Sequence, residues 1–165
     1  MQDVRDISTA TARNGLTDAE RDEFLRQPHV TRFTTNRSDG WAHTTPIYYT
    51  WTGHEILHSI GPKRQHLRNL ERDGRVTECI DVDFRLDGSA GAGAVSVVCF
   101  GVAEIVEDAA LVSDMTREML IRYMGAEDGP RYFAEVAHEC GNGRVVLRVR
   151  PVRWITWDYR KVATP

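Results

Sequence analysis

Apolar positions along the chain switch between two rhythms, and the switches mark the elements. In residues 16–28, "LTDAERDEFLRQP", Phe24 and Leu25 supply an apolar face to an otherwise polar run. Thr17 with Glu20 three residues on reads as a capping box, so a helix starts there and Pro28 ends it. Alternation takes over in "HVTRFTTNRSDG", a strand leading into a turn at Ser38-Asp39-Gly40. "WAHTTPIYYTW" is the returning strand of the hairpin. Pro46 cannot donate to a ladder, which puts that strand at an edge or a bulge. "HEILHSI" is a third strand, reached through a turn at Thr52-Gly53.

A helix is predicted over residues 62–73, stopped by Gly74. "RVTECIDVDF" and the Val-rich "AVSVVCFGVAEIVE" are the fourth and fifth strands, and Gly101 inside the latter marks a bulge or bend. "DAALVSDMTREMLIRYMG" has helical apolar spacing at Leu111, Met115, Met119 and Tyr123, and "PRYFAEVAHECG" is a shorter helix. "GRVVLRVRPVRWITWDYRK" closes the chain as a strand that passes Pro151 into a second strand. The strands follow one another as hairpins, without β-α-β crossovers. The reading is a mainly β, α+β fold: a six- to seven-stranded antiparallel barrel with peripheral helices. Residues 1–15 form an arm and residues 16–161 a single domain. "LDGSAGAGA", residues 86–94, is a flexible loop.

Composition narrows the picture. The 165 residues are 41% hydrophobic and 27% charged, with net charge −3. That is ordinary for one globular domain and lacks the basic surplus of a general nucleic-acid binder. No run approaches a membrane span, and the polar N-terminus has no signal-peptide core. Three cysteines occur with no C-x-x-C spacing, and Cys79 and Cys99 lie inside apolar strand-like runs, which points to the reducing cytoplasm. His54 and His58 share strand spacing but have no acidic or Cys partner nearby in sequence, so no metal site is expected.

The segment "SIGPKRQHLRNLERDG" carries the chemistry. Helices favour acids in the first turn and bases in the last. The helices starting near Thr17 and Glu107 follow that preference. The helix predicted at Pro62 reverses it: Lys63 and Arg64 open it, and Glu71 and Asp73 close it. Gly61 allows close approach of a ligand to the backbone, and Arg68 lies one turn beyond Arg64. Such an end takes phosphate or carboxylate. The alternative is a solvated helix whose charge order costs about 0.3–1 kcal/mol per charge. There is no G-x-x-x-x-G-K-[ST] and no G-x-G-x-x-G after a strand.

In order and spacing these motifs resemble the split β-barrel flavin and deazaflavin oxidoreductases. That superfamily includes pyridoxamine 5′-phosphate oxidase and the reductases that use coenzyme F420. The resemblance rests on Asp39-Gly40, Pro46, Ser59, His66-Leu67-Arg68-Asn69-Leu70, Val76, Gly101-Val102-Ala103-Glu104 and the closing strands. It covers about residues 16–161. Two positions depart from the pattern: His66 stands at the family lysine that helps hold the cofactor phosphate, and Gly74 at the family proline.

The resemblance implies a homodimer with a cofactor at each subunit interface and hydride transfer to a small organic substrate. The closing segment favours F420, with FMN as the alternative. A flavin- or haem-binding protein without turnover is the second possibility. The implied cofactor contacts are Ser59, Gly61, Lys63, Arg64, His66, Arg68 and Asn69, with Thr44, Thr45 and Pro46 facing the ring. His43, Tyr48 and Tyr49 are candidate proton donors to the substrate. The four aromatics of "WAHTTPIYYTW" suit an interface, a planar-ligand pocket or a core, and Trp154 and Trp157 a ligand wall or a barrel plug.

Overall fold

The computed structural model describes residues 14–82 and 94–161. The expected arm and the Gly/Ala/Ser loop fall outside those residues, apart from Asn14, Gly15 and Ala94. Helix α1 is Asp18–Leu25. Its capping box forms as the sequence requires: the Glu20 N–H donates to Thr17 Oγ1 at 3.3 Å, and the Thr17 N–H to Glu20 Oε2 at 2.8 Å. Strands β1 (Thr31–Asn36), β2 (Ala42–Ile47), β3 (Thr50–Trp51) and β4 (Ile56–Ile60) follow, then helix α2 (Gln65–Leu70). Strands β5 (Arg75–Asp81) and β6 (Val95–Val106), helix α3 (Ala109–Val136) and strand β7 (Val145–Asp158) complete the fold. Among the described residues no helix is long and apolar enough to cross a membrane.

Among the described residues all seven strands join one antiparallel sheet in the order β2-β1-β5-β6-β7-β4-β3. Its two edge strands, β2 and β3, are consecutive in the chain, with only Tyr48 and Tyr49 between them. Three Cα–Cα steps reach at most about 11 Å. A flat seven-stranded sheet would hold its edges about 29 Å apart. The sheet therefore curls into a half-barrel. The segment expected as one returning strand is divided between opposite edges, and Pro46 sits on an edge strand.

Period-two alternation sorts the side chains. On the inner face Phe33 lies between Thr45 and Glu78 in register, and Thr35 between His43 and Val76. The main core fills the half-barrel with residues such as Phe33, Tyr49, Ile56, Ile80, Val97 and Leu147. A smaller cluster packs Val112 of α3 against Leu57 of β4 and Val146 of β7.

The last segment is a single strand, not two. Gly101 pairs with Pro151 and Phe100 with Arg153, so Val152 is the extra residue of a bulge. A Cβ on Gly101 would lie 2.6 Å from Val149 Cγ1 and 2.9 Å from the Arg150 carbonyl oxygen, which leaves room only for glycine. Helix α3 bends sharply at Gly125, whose φ of 88° is open to glycine at little cost. Its second segment folds back on the first: a Cβ on Gly129 would lie 2.6 Å from Ile121 Cα.

Helix α2 is shorter than its sequence predicts. Lys63 has φ 61°, in the left-handed region, and cannot continue a right-handed helix. Arg64 is the N-cap, with extended backbone and no side-chain cap. Lys63 and Arg64 thus lie outside the helix, and the basic residue inside it, Arg68, falls in the last turn, where the dipole favours it. The charge reversal read from the sequence disappears once the true helix bounds are known.

Because backbone and Val149 crowd Gly101, Gly101→Ala is expected to cost about 1–3 kcal/mol, the usual range for overpacking. Thermal unfolding followed by circular dichroism should show a midpoint several degrees lower; an unchanged midpoint would mean the bulge relaxes freely.

Candidate functional site

The inner end of β2, the end of β4 and the loop before α2 enclose an open cleft of about 630 Å³. Strand β2 contributes His43 and Thr45 from its inner face, with Pro46 at the rim. Ser59 and Gly61 mark the end of β4, and Lys63, Arg64 and His66 follow. The first segment of α3 adds Met119 and Leu120, and the folded-back segment adds Tyr132. Tyr48, 40% exposed, completes an apolar wall and stacks on Tyr123 with centroids 4.1 Å apart.

Most of the expected site residues converge here, and four do not. Thr44 points to the outer face, where its hydroxyl lies 2.9 Å from that of Thr34. Tyr49 is fully buried and donates to the Gln27 carbonyl at 3.2 Å. Burial pushes its phenol far above the usual range, so it holds its proton in the core. Arg68 is exposed and lines no part of the cleft. Asn69 is buried behind the cleft, where its amide donates to Thr35 Oγ1 at 2.8 Å. The aromatic strand also divides. Trp41 is 76% exposed, Tyr48 faces the cleft, and Tyr49 and Trp51 enter the core. Trp154 meets Trp51 edge-on at 5.8 Å, beneath the Arg21 guanidinium, at the α1 side of the half-barrel. Neither Trp154 nor Trp157 lines the cleft.

His66 is only 4% exposed. Its Nε2 lies 2.6 Å from Thr45 Oγ1 and its Nδ1 3.4 Å from Thr35 Oγ1. Burial lowers its pKa to about 4, with His43, His58 and Arg64 adding positive charge nearby. The ring is neutral at pH 7 and is turned toward hydroxyls, not toward an anion. The ring lines the cleft at the position of the family lysine, with both nitrogens facing threonine hydroxyls.

The sequence reading missed Arg144, the residue just before β7. Its Nε and Nη2 donate to Glu139 Oε2 at 3.0 and 2.5 Å, and its Nη1 to Ser59 Oγ at 3.1 Å. Ser59 in turn lies 2.6 Å from Thr116 Oγ1, whose proton goes to the Val112 carbonyl, so Ser59 is the donor in that pair. Ser59 is thereby committed to supporting Arg144. At the Gly61 position a Cβ would lie 3.4 Å from Arg144 Nη2, 3.4 Å from Glu139 Oε2 and 3.8 Å from Arg64 Nε. No local motif announces Arg144, because it reaches the cleft from a strand whose partner, β4, lies about 85 residues earlier.

Two other groups deserve placement. His58 is buried, with Nδ1 2.9 Å from the Tyr48 carbonyl and Nε2 3.2 Å from Glu78 Oε1. Because a carbonyl only accepts, Nδ1 carries a proton. His54 is exposed in the turn before β4, so the two histidines face different surroundings. Among the described residues no three His, Cys, Asp or Glu side chains gather as a metal site.

Comparison with known proteins gives three findings. The family model described as pyridoxamine 5′-phosphate oxidase matches residues 17–158. No curated protein matches in sequence. Among solved structures, a conserved hypothetical protein from Mycobacterium tuberculosis is 26% identical with TM-score 0.78, covering 95% of this chain and 94% of that one. An F420 reductase is 22% identical with TM-score 0.61, covering 81% of this chain and 94% of its own. A FAD- and haem-binding protein from Mycobacterium smegmatis is 15% identical with TM-score 0.65, covering 88% and 72%.

The depressed His66 pKa has a sign. The folded state releases the proton near pH 4 while the unfolded chain releases it near 6.5, so between those values the unfolded state binds more protons. The contribution to stability is full above pH 6.5 and falls as pH drops toward 4. Urea unfolding from pH 7.5 to 4 should show wild type losing more stability than His66→Gln over that window. Parallel curves would contradict the assignment.

Proposed function

The chain belongs to the pyridoxamine 5′-phosphate oxidase family, and on that premise we propose that it is an oxidoreductase. It uses F420, or alternatively FMN, to exchange hydride with a small organic substrate. The observation that carries this reading is the composition of the cleft. Lys63, Arg64 and Arg144 gather at one end, with Glu139 as the carboxylate against them, and an apolar wall stands at the other. That donor set fits a ligand with a phosphate at one end and a planar ring at the other. The cofactor, when bound, supplies the hydride chemistry itself.

The chain's own residues bind and orient. Lys63 and Arg64 are exposed at the cleft and would hold a phosphate, while Arg144 is fixed in direction by Glu139 and Ser59. Lys63 holds its place through left-handed backbone that costs about 1–2 kcal/mol, strain of the kind that gathers at ligand sites. Thr45, Pro46 and Tyr48 would hold the ring, and Met119 and Leu120 would exclude water from it. His43, half-buried in the cleft and 4.6 Å from the His66 ring, is the side chain placed to hold a proton for the substrate; Tyr48 is the second.

The reading includes a homodimer with the cleft completed at the interface. Trp41 and Val152, 76% and 73% exposed, supply apolar surface for it. A second reading, ligand binding without turnover, rests on His43: its imidazole makes no hydrogen bond among the described residues and is open to ligate haem iron.

Fluorescence titration should show F420 or FMN binding tighter than about 100 µM, roughly 5–6 kcal/mol. Lys63→Ala with Arg64→Ala, and separately Arg144→Ala, should each weaken it about 10–100-fold, the worth of a charge-assisted bond. Binding of neither cofactor, with a haem Soret band on reconstitution, would favour the second reading. Light scattering should give twice the chain mass of 18.7 kDa, and Trp41→Glu should reduce that mass.

A further inference from the structure

We propose that Asn69, Thr35 and His66 form a one-way hydrogen-bond chain that holds the Thr45 hydroxyl as a donor toward the ligand. The inference rests on the reading that a flavin-type ligand occupies the cleft, and it specifies which kind of ligand atom meets β2. A carbonyl oxygen or an unprotonated ring nitrogen is the kind of ligand atom that takes the Thr45 proton there.

The polarity starts at Asn69. Its Oδ1 accepts from Gln65 Nε2 at 2.9 Å, so its Nδ2 is the group that faces Thr35 Oγ1 at 2.8 Å. Thr35 is fully buried and accepts that bond, so its own proton needs an acceptor. Among the described residues the side-chain acceptor within reach is His66 Nδ1, at 3.4 Å. An unprotonated Nδ1 on a neutral ring places the remaining proton on Nε2. That proton is directed at Thr45 Oγ1, 2.6 Å away. Thr45 is then an acceptor on its buried side and keeps its own proton for the cleft it lines.

The opposite polarity fails in the core. If Thr45 donated to Nε2, the ring proton would sit on Nδ1 and point at Thr35. The Thr35 hydroxyl would then face Asn69 N–H and His66 N–H together, with its own proton buried and unpaired, a penalty of the kind that disfavours a whole tautomer. The chain also gives His66 a role that a phosphate contact does not. It is a positioning residue, wedged edge-on against Phe33 at 5.1 Å and beside His43 at 4.6 Å, and it acts on the ligand through Thr45.

Long-range ¹H–¹⁵N correlation spectra of the labelled full chain at pH 7.5 read the tautomer directly, with His66 assigned by comparison with His66→Gln. The expected result is a neutral ring protonated at Nε2. A ring protonated at Nδ1, or at both nitrogens, overturns the proposal. Asn69→Asp supplies a carboxylate that takes the Thr35 proton. It should move the His66 proton to Nδ1 and weaken FMN or F420 binding about tenfold, the size of one lost hydrogen bond. Thr45→Val should lose the same affinity, and Thr45→Ser should restore it. An unchanged tautomer in folded Asn69→Asp refutes the chain; if that variant does not fold, the wild-type tautomer still decides. If neither cofactor binds wild type, the functional reading fails while the spectra still test the relay.

Discussion

The fold depends on one short joint. Tyr48 and Tyr49 tie the two edges of a seven-stranded sheet together, and no flat arrangement satisfies that tether. The joint is pinned from three sides. The Tyr48 carbonyl accepts from His58 at 2.9 Å. The Tyr49 N–H donates to the Tyr123 hydroxyl at 3.3 Å. That hydroxyl also lies 2.6 Å from the His29 carbonyl and 3.0 Å from the Tyr49 carbonyl, bridging α3 to the sheet. The ring of Tyr49 fills the core while the ring of Tyr48 walls the cleft, so the residues that curl the sheet also shape the site.

The cleft inherits its order from that curl. Period-two alternation along β2 presents Thr45 inward and Thr44 outward, and curling brings the inward face over the end of β4 and over α2. Cations arrive from two directions: Lys63 and Arg64 from a strained loop, Arg144 from the start of β7. Arg144 is already bonded to Glu139, so any anion that binds must compete with a resident carboxylate. A phosphate, with more charge and more acceptor oxygens than a carboxylate, is suited to that competition.

Much of this was legible in the sequence wherever the signal was local. The Thr17 capping box, the Pro46 edge strand and the Gly101 bulge each follow from what one residue type permits. The order of hairpin-linked strands was sufficient for the architecture. What stayed hidden was non-local or depended on dihedrals. The left-handed Lys63 shortened α2 and removed the charge reversal; Gly61, Lys63 and Arg64 still line the cleft, while Arg68 does not. Tyr48 and Tyr49 read as strand because aromatics favour strands, and only the sheet order shows that they turn a corner. His66 stood out only for its place at the family lysine; its burial comes from packing against Phe33, which is 33 residues away. Arg144 gave no signal because its partners Ser59 and Glu139 meet only after β7 pairs with β4.

The strand order also sets a timetable for folding. Strands β2, β1, β5 and β6 are contiguous in the sheet and can assemble from residues 31–106. Strand β4 has no long partner until β7, the latest strand of this sheet in chain order, slots between it and β6. Until then β4 presents a bare edge carrying Ile56, Leu57 and Ile60. During synthesis the nascent chain therefore passes through a stage with a sticky, unpaired strand in its middle. Such late, distant pairing makes folding slow and leaves this short apolar strand as the point where chaperones or aggregation would act first.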